Sequence, residues 1–157
     1  MKFRSTRGDK DELRAAQAII RGIAPDRGLY VPEEIPAMPF DLNDMADASY
    51  QDVAKKVIGA FFTDYTEEEI ADCVDGAYDS KFDTEEIAPL VKAGDAWFIE
   101  LYHGKTAAFK DMALSILPRL LTKAIPNIWK SLACSIPVVV FPSSPLPTME
   151  TLSIRKW

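Results

Sequence analysis

Histidine and cysteine are almost missing from these 157 residues, which hold one of the former, His103, and two of the latter, Cys73 and Cys134. Three such residues cannot close a Cys/His zinc cage, so no metal site is expected, and two cysteines cannot supply a disulfide framework. Long apolar runs are missing as well. One of the longest, residues 136–141, falls far short of the roughly 20 residues that a bilayer span needs. The opening residues, Met1-Lys2-Phe3-Arg4-Ser5-Thr6-Arg7-Gly8-Asp9, contain no apolar core of a secretory signal. Positive charge is in short supply: 18 Lys and Arg stand against 24 Asp and Glu, a formal net of −6. That balance argues against nucleic-acid and membrane partners. A reducing, cytoplasmic home is the expectation.

Glycine is absent from the last third. All seven glycines lie at or before Gly104, whereas residues 125–157 hold five of the 11 prolines. Residues 1–124 carry 23 acids and 15 bases, a net of −8, and residues 125–157 carry one acid and three bases, a net of +2. Turns between strands and helices need a positive φ somewhere, so a glycine-free third reads as an atypical tail.

What is present is the mixture of a soluble globular domain, with 48% apolar residues and 27% charged. Residues 2–6 form a candidate strand. Asp9 is placed to cap a helix over 10–22, with Leu13, Ala16, Ile20 and Ile23 on its apolar face. A turn at Ala24-Pro25-Asp26-Arg27-Gly28, with Gly28 at the positive φ, leads into a short strand at 29–31 closed by Pro32. Ser49 caps a second helix that turns Tyr50, Val53, Ala54, Val57, Ile58 and Phe61 to one side. Thr66 with Glu69 fits a capping box opening a third, with Ile70, Cys73, Val74 and Ala77 inward. A strand at 97–102, a loop from His103 and a helix over 110–123 follow, with Pro118 expected to kink that helix. A core of Leu13, Ile20, Val53, Val57, Phe61, Ile70 and Val74 follows from these faces, and a strand at 136–141 could join the sheet edge.

The strand–loop–helix unit at 97–123 is where chemistry is expected, because ligands of α/β sheets collect beyond the carboxyl ends of strands. It singles out His103, Thr106, Lys110 and Asp111. A lysine among apolar neighbours at the positive end of a helix gives up its proton more readily and can bond a carbonyl cofactor such as pyridoxal phosphate. Most lysines at helix starts are merely solvated, and Asp111 there is more often a helix-dipole partner than an acid catalyst. His103 could act as a base, though a loop histidine hydrogen-bonded to backbone is the plainer reading. Cys73 reads as core. Gly104-Lys105-Thr106 lacks the earlier glycine of a phosphate loop and is rejected as one.

Taken together, four blocks resemble the amino-terminal portion of the threonine synthase family. They are Phe3-Arg4-Ser5-Thr6-Arg7-Gly8, then Gly22 through Glu33 with its Pro-Asp-Arg-Gly-Leu-Tyr-Val-Pro run, then Tyr78 before Phe82 with Ala88-Pro89-Leu90. The last is Glu100-Leu101-Tyr102-His103-Gly104-Lys105-Thr106-Ala107-Ala108-Phe109-Lys110-Asp111-Met112-Ala113. The resemblance extends from Lys2 to about Ala124. It implies an α/β fold: a helical α+β N-terminal domain over residues 1–95, the start of a fold-type II pyridoxal-phosphate domain over 96–124, and the glycine-free tail over 125–157. It also implies that Lys110 holds the cofactor, pyridoxal 5'-phosphate, and shuttles protons while O-phosphohomoserine and water become threonine and phosphate. Lys105 departs from the proline usual at that loop position. No Ser/Thr-Gly-rich phosphate loop follows the lysine-bearing helix, so a truncated or frame-shifted family sequence, inactive by itself, is expected. A threonine dehydratase-like lyase would share the lysine but not the first two blocks, and a non-catalytic interaction module would leave Lys110 inert.

Overall fold

The computed structural model describes residues 1–133. The expected strand at 136–141 and most of the expected tail lie outside them.

The chain opens with β1 (Phe3–Ser5), which pairs antiparallel with β2 (Tyr30–Pro32), Phe3 opposite Pro32 and Ser5 opposite Tyr30. Both strands were expected. Pro32 is the last paired residue of β2, at the end of a two-stranded ribbon where its missing N–H breaks no further ladder.

Between them runs α1 (Ala15–Arg21), which begins five residues later than the sequence suggests. The intervening backbone is used elsewhere. Asp9 Oδ1 accepts from the Asp11 amide at 3.1 Å, and Leu13 exchanges two hydrogen bonds with Phe3 at 2.7 and 2.9 Å. The helix is closed at its head by Gln17, whose amide oxygen accepts from Arg14 N at 2.9 Å, and by Asp64, which accepts from Ala16 N at 3.0 Å. Its buried side consists of Ala15, Ala16 and Ala18, while the expected Ile20 and Ile23 are exposed. Small side chains let α1 lie directly against the last helix, so the alanines bury and the larger isoleucines point away.

After a turn of 3₁₀ helix at Asn43–Met45 come α2 (Tyr50–Phe61), capped by Ser49 accepting from Asp52 N at 3.1 Å, and α3 (Glu67–Ala77). The capping box of α3 is formed in both directions: Glu69 N to Thr66 Oγ1 at 3.1 Å and Thr66 N to Glu69 Oε2 at 3.0 Å. Ile70, Cys73, Val74 and Ala77 are buried as expected, and α3 is the centre of the core. On α2 the face that meets the core is Tyr50, Ala54 and Ile58, continued by Phe62; all four are half-buried, as are Val53, Val57 and Phe61 beside them.

A hairpin of β3 (Leu90–Ala93) and β4 (Ala96–Ile99) follows, paired antiparallel with Leu90 opposite Ile99 and turning at Gly94, which has φ +61°. The sequence suggested β4 but not its partner, and every residue of both strands is exposed. The chain then enters α4 (Asp111–Ala133), which continues ten residues past the expected end and carries both Pro118 and Pro126. Both prolines are on exposed positions, where water can take the carbonyls they leave without a helical partner.

Helix α4 seats Ile116, Leu120 and Ala124 in the core, flanked by Met112 and Ile128 at the same four-residue step. Polar clamps hold it to the module. Tyr65 donates to Leu120 O at 3.1 Å, Tyr78 to Met112 O at 2.9 Å, and Lys123 pairs with Asp72 at 2.7 Å. Gly76 makes room for Arg119, whose guanidinium lies 2.1 Å from where a Cβ would stand.

Candidate functional site

The loop between β4 and α4 collects the residues that the sequence singles out. Asp111, the first residue of α4, is 8% exposed and faces back into the loop. Its two carboxylate oxygens accept from the Thr106 amide and the Thr106 hydroxyl, each at 2.7 Å. Those bonds hold its carboxyl below the usual carboxylate range, the hydroxyl contributing most. Gly104 is pressed against this carboxylate: a Cβ there would stand 2.5 Å from Asp111 Cβ. Ala107 adopts φ +54°, a left-handed conformation that costs an L-residue roughly 1–2 kcal/mol. The loop is therefore a constrained turn, and Asp111 is its fastener.

Lys110 directly precedes that fastener, with its side chain in solvent. Its carbonyl accepts from Ala113 N at 3.1 Å and Leu114 N at 2.8 Å, so Lys110 is the residue at which the α4 hydrogen-bond ladder begins. The amides of Asp111 and Met112 are likewise bonded, to Ala108 O and Phe109 O. The head of α4 thus presents an exposed lysine next in sequence to a fixed carboxylate, while these four amides are turned to the chain's own carbonyls. A carbonyl cofactor can reach the amine. A phosphate group finds no cradle in those amides.

His103 departs from the plainer reading of a ring bonded to backbone. Its Nδ1 lies 2.5 Å from Asp83 Oδ1 and its Nε2 lies 2.9 Å from Glu100 Oε2. Tyr102 stacks on the ring at 4.7 Å between centroids. The hydrogen bonds to Glu100 and then to Asp83 raise the imidazole above its ordinary value. Glu100, three residues ahead, could have been suspected from spacing. Asp83, twenty residues away, has no sequence signal.

The first two blocks of the family resemblance turn out to meet in one knot. Ser5 donates to both oxygens of Asp26 at 2.7 and 2.8 Å, and Asp26 also accepts from Gly28 N at 2.8 Å and Asp9 N at 3.0 Å. The positive φ expected at Gly28 belongs to Arg27, at +64°. Gly28 is needed for space, since a Cβ would fall 2.0 Å from Ser5 Oγ. Cys73 is a free thiol buried in the core, as expected.

Fold and site together define a class: an α/β chain in which a helical module leads into a lysine-bearing loop at the mouth of a long helix. Comparison makes it particular. Residues 2–78 match the family model of the threonine synthase N terminus. Threonine synthase of Pseudomonas aeruginosa is 36% identical over 125 residues, spanning 77% of this chain and 26% of that protein. That of Schizosaccharomyces pombe is 33% identical over 123 residues, spanning 76% and 24%. Among solved structures, a pyridoxal-phosphate-bound threonine synthase from Brucella melitensis superposes with a TM-score of 0.74 at 32% identity, over 82% of this chain and 28% of that one. The yeast threonine synthase superposes with a TM-score of 0.68 at 29% identity. The chain belongs to the threonine synthase family and carries its amino-terminal portion, spanning about a quarter of the length of the curated relatives it matches.

Proposed function

We propose that this chain is the amino-terminal portion of a pyridoxal-phosphate-dependent threonine synthase, with Lys110 as the residue that holds the cofactor. The observation that carries the reading is the position of Lys110, at the head of α4 and next to the Asp111–Thr106 fastener, inside the block that resembles the family. The known cofactor of the Brucella relative supports it. In this reading residues 1–95 are the N-terminal domain, residues 96–124 begin a fold-type II cofactor domain, and residues 125–157 are a tail atypical of the family. The proposed boundary falls in the turn of the β3–β4 hairpin, whose four paired positions tie its two sides together. The substrate is O-phosphohomoserine and the compartment is the cytoplasm. Among the described residues no helix is long and apolar enough to cross a membrane.

Pyridoxal phosphate would supply an electron sink for proton removal at the amino acid's α- and β-carbons, for loss of phosphate from the γ-carbon and for addition of water at the β-carbon. The chain's own part is positional. Asp111, locked by two bonds from Thr106, fixes the backbone direction at which Lys110 leaves the helix. The Lys110 amine is then free to bond a carbonyl and to hold or return a proton at its nitrogen. The phosphate needs several convergent N–H donors, and the four amides from Asp111 to Leu114 are already bonded to the chain's own carbonyls. In this reading those donors lie outside the stretch that this chain shares with its relatives.

The test joins residues 1–124 to the remaining portion of the Pseudomonas relative. The joined protein is expected to form threonine from O-phosphohomoserine, and Lys110→Ala in it to lose both turnover and the cofactor's visible absorbance. Turnover retained by the alanine variant would overturn the assignment.

A further inference from the structure

We propose that His103 is a positioning residue, a proton-dependent latch that fastens the entrance of the Lys110 loop to the helical module. The loop has two ends, and Asp111 with Thr106 secures only the exit. At the entrance, the His103 ring bridges Asp83, in the segment after α3, and Glu100, just past β4, at 2.5 and 2.9 Å. The His103 carbonyl accepts from Asp83 N at 3.1 Å, so backbone and side chain grip the same residue. Asp83, Glu100 and the Tyr102 phenol are the titratable groups acting on this ring.

The chemistry of the ring decides how the latch works. A protonated imidazole donates from both nitrogens, whereas a neutral one donates from a single nitrogen and offers a lone pair at the other. Between two carboxylates, the neutral ring must set that lone pair against an oxygen that also carries only lone pairs. One of the two contacts is then lost. Asp83, 76% exposed in its side chain, can swing into water, whereas Glu100 is 25% exposed and stays. Deprotonation therefore removes the side-chain grip on Asp83, leaving the Asp83 N–H to His103 carbonyl bond to hold the loop entrance more weakly to the module while Glu100 keeps it tied to β4. The sign follows from linkage: the folded value is raised, so the fastening is complete below the ordinary imidazole value and is lost as pH rises through the folded one. Its effect on cofactor geometry rests on the reading of Lys110 given above; the latch itself does not.

His103 is the only histidine in the sequence, so the test is unambiguous. In the full chain, the ring carbon signal is followed by NMR from about pH 6 to about pH 9, a range bracketing a raised imidazole. Amide exchange of Thr106 and Ala107, corrected for intrinsic rate, is followed alongside. We expect the midpoint to lie above that of an unlatched histidine, and Asp83→Asn, an exposed change that leaves the core intact, to lower it. Protection of the loop should fall across the titration, tenfold for every pH unit by which the wild-type midpoint exceeds that of Asp83→Asn. His103→Gln should remove the pH step in exchange, and Lys110→Ala should leave both titration and step unchanged, which separates this proposal from the assignment of the cofactor lysine. A midpoint unaffected by Asp83→Asn, or loop protection that shows no step through the titration, would overturn it.

Discussion

At the scale of single residues, Asp26 shows how a motif that identifies a family can be structural. Three donors make four contacts to its carboxylate, from the β1 end, the Asp9 turn and its own loop. The Ser5 hydroxyl, then the Gly28 and Asp9 amides, hold its carboxyl below the usual carboxylate range. A depressed carboxyl contributes stability that is present above its unfolded value and lost as pH falls through its folded one. Asp26→Asn is therefore expected to lower the melting temperature at neutral pH and to flatten its decline in acid, measured as Tm against pH. Gly28→Ala should be at least as damaging, because the new methyl meets Ser5 Oγ and displaces the same bonds. The sequence made the turn legible through its Pro-Asp-Arg-Gly string. It could not show which residue takes the positive φ, because that depends on the close approach of Ser5 from another element. His103 repeats the lesson: its lone occurrence drew notice, but its partner Asp83 is brought in only by the fold.

At the scale of elements, local signals carried well where capping and periodicity agreed. The Thr66 capping box and the inward face of α3 are legible in the residues themselves. The start of α1 was not, because tertiary pairing of Leu13 with Phe3 takes residues that the local pattern would give to the helix. The end of α4 was not either, since two prolines on the outer side of a well-packed helix are tolerated despite an interior cost of ~3 kcal/mol. On α2 the periodicity fitted a broad stripe, and only packing shows that Ala54 and Ile58 rather than Val53 and Val57 meet the core. This yields a paired prediction. Val74, 0% exposed, should not accept a carboxylate, and Val74→Asp is expected to cost about 4 kcal/mol or more. Val57→Asp, at a half-buried site, should cost clearly less. Denaturant melts of the two variants check the order, and equal losses would mean that the α2 face is wrongly assigned.

At the scale of the whole molecule, α4 has two apolar sides. One, through Ile116, Leu120 and Ala124, is covered by the module; the other, through Leu114, Leu117, Leu121 and Ile125, is exposed, as are Trp97, Phe98 and Ile99 of the hairpin. An apolar helix face of this length is normally buried. The exposed side belongs to the same part of the chain as the Lys110 loop, and the relatives are about four times as long as the stretch this chain shares with them. Both facts fit the proposal made above, in which Lys110 and its fastener form one part of the site and the phosphate donors another. The isolated chain is accordingly expected to react with pyridoxal phosphate no more selectively than any protein with accessible lysines. The most direct measurement is borohydride trapping of pyridoxal phosphate followed by peptide mass spectrometry, on this chain alone and on residues 1–124 joined to the rest of the Pseudomonas relative. Scattered, sub-stoichiometric labelling is expected in the first and a single saturating label at Lys110 in the second. A saturating label at any other lysine of the joined protein, or none at Lys110, would contradict the Lys110 assignment.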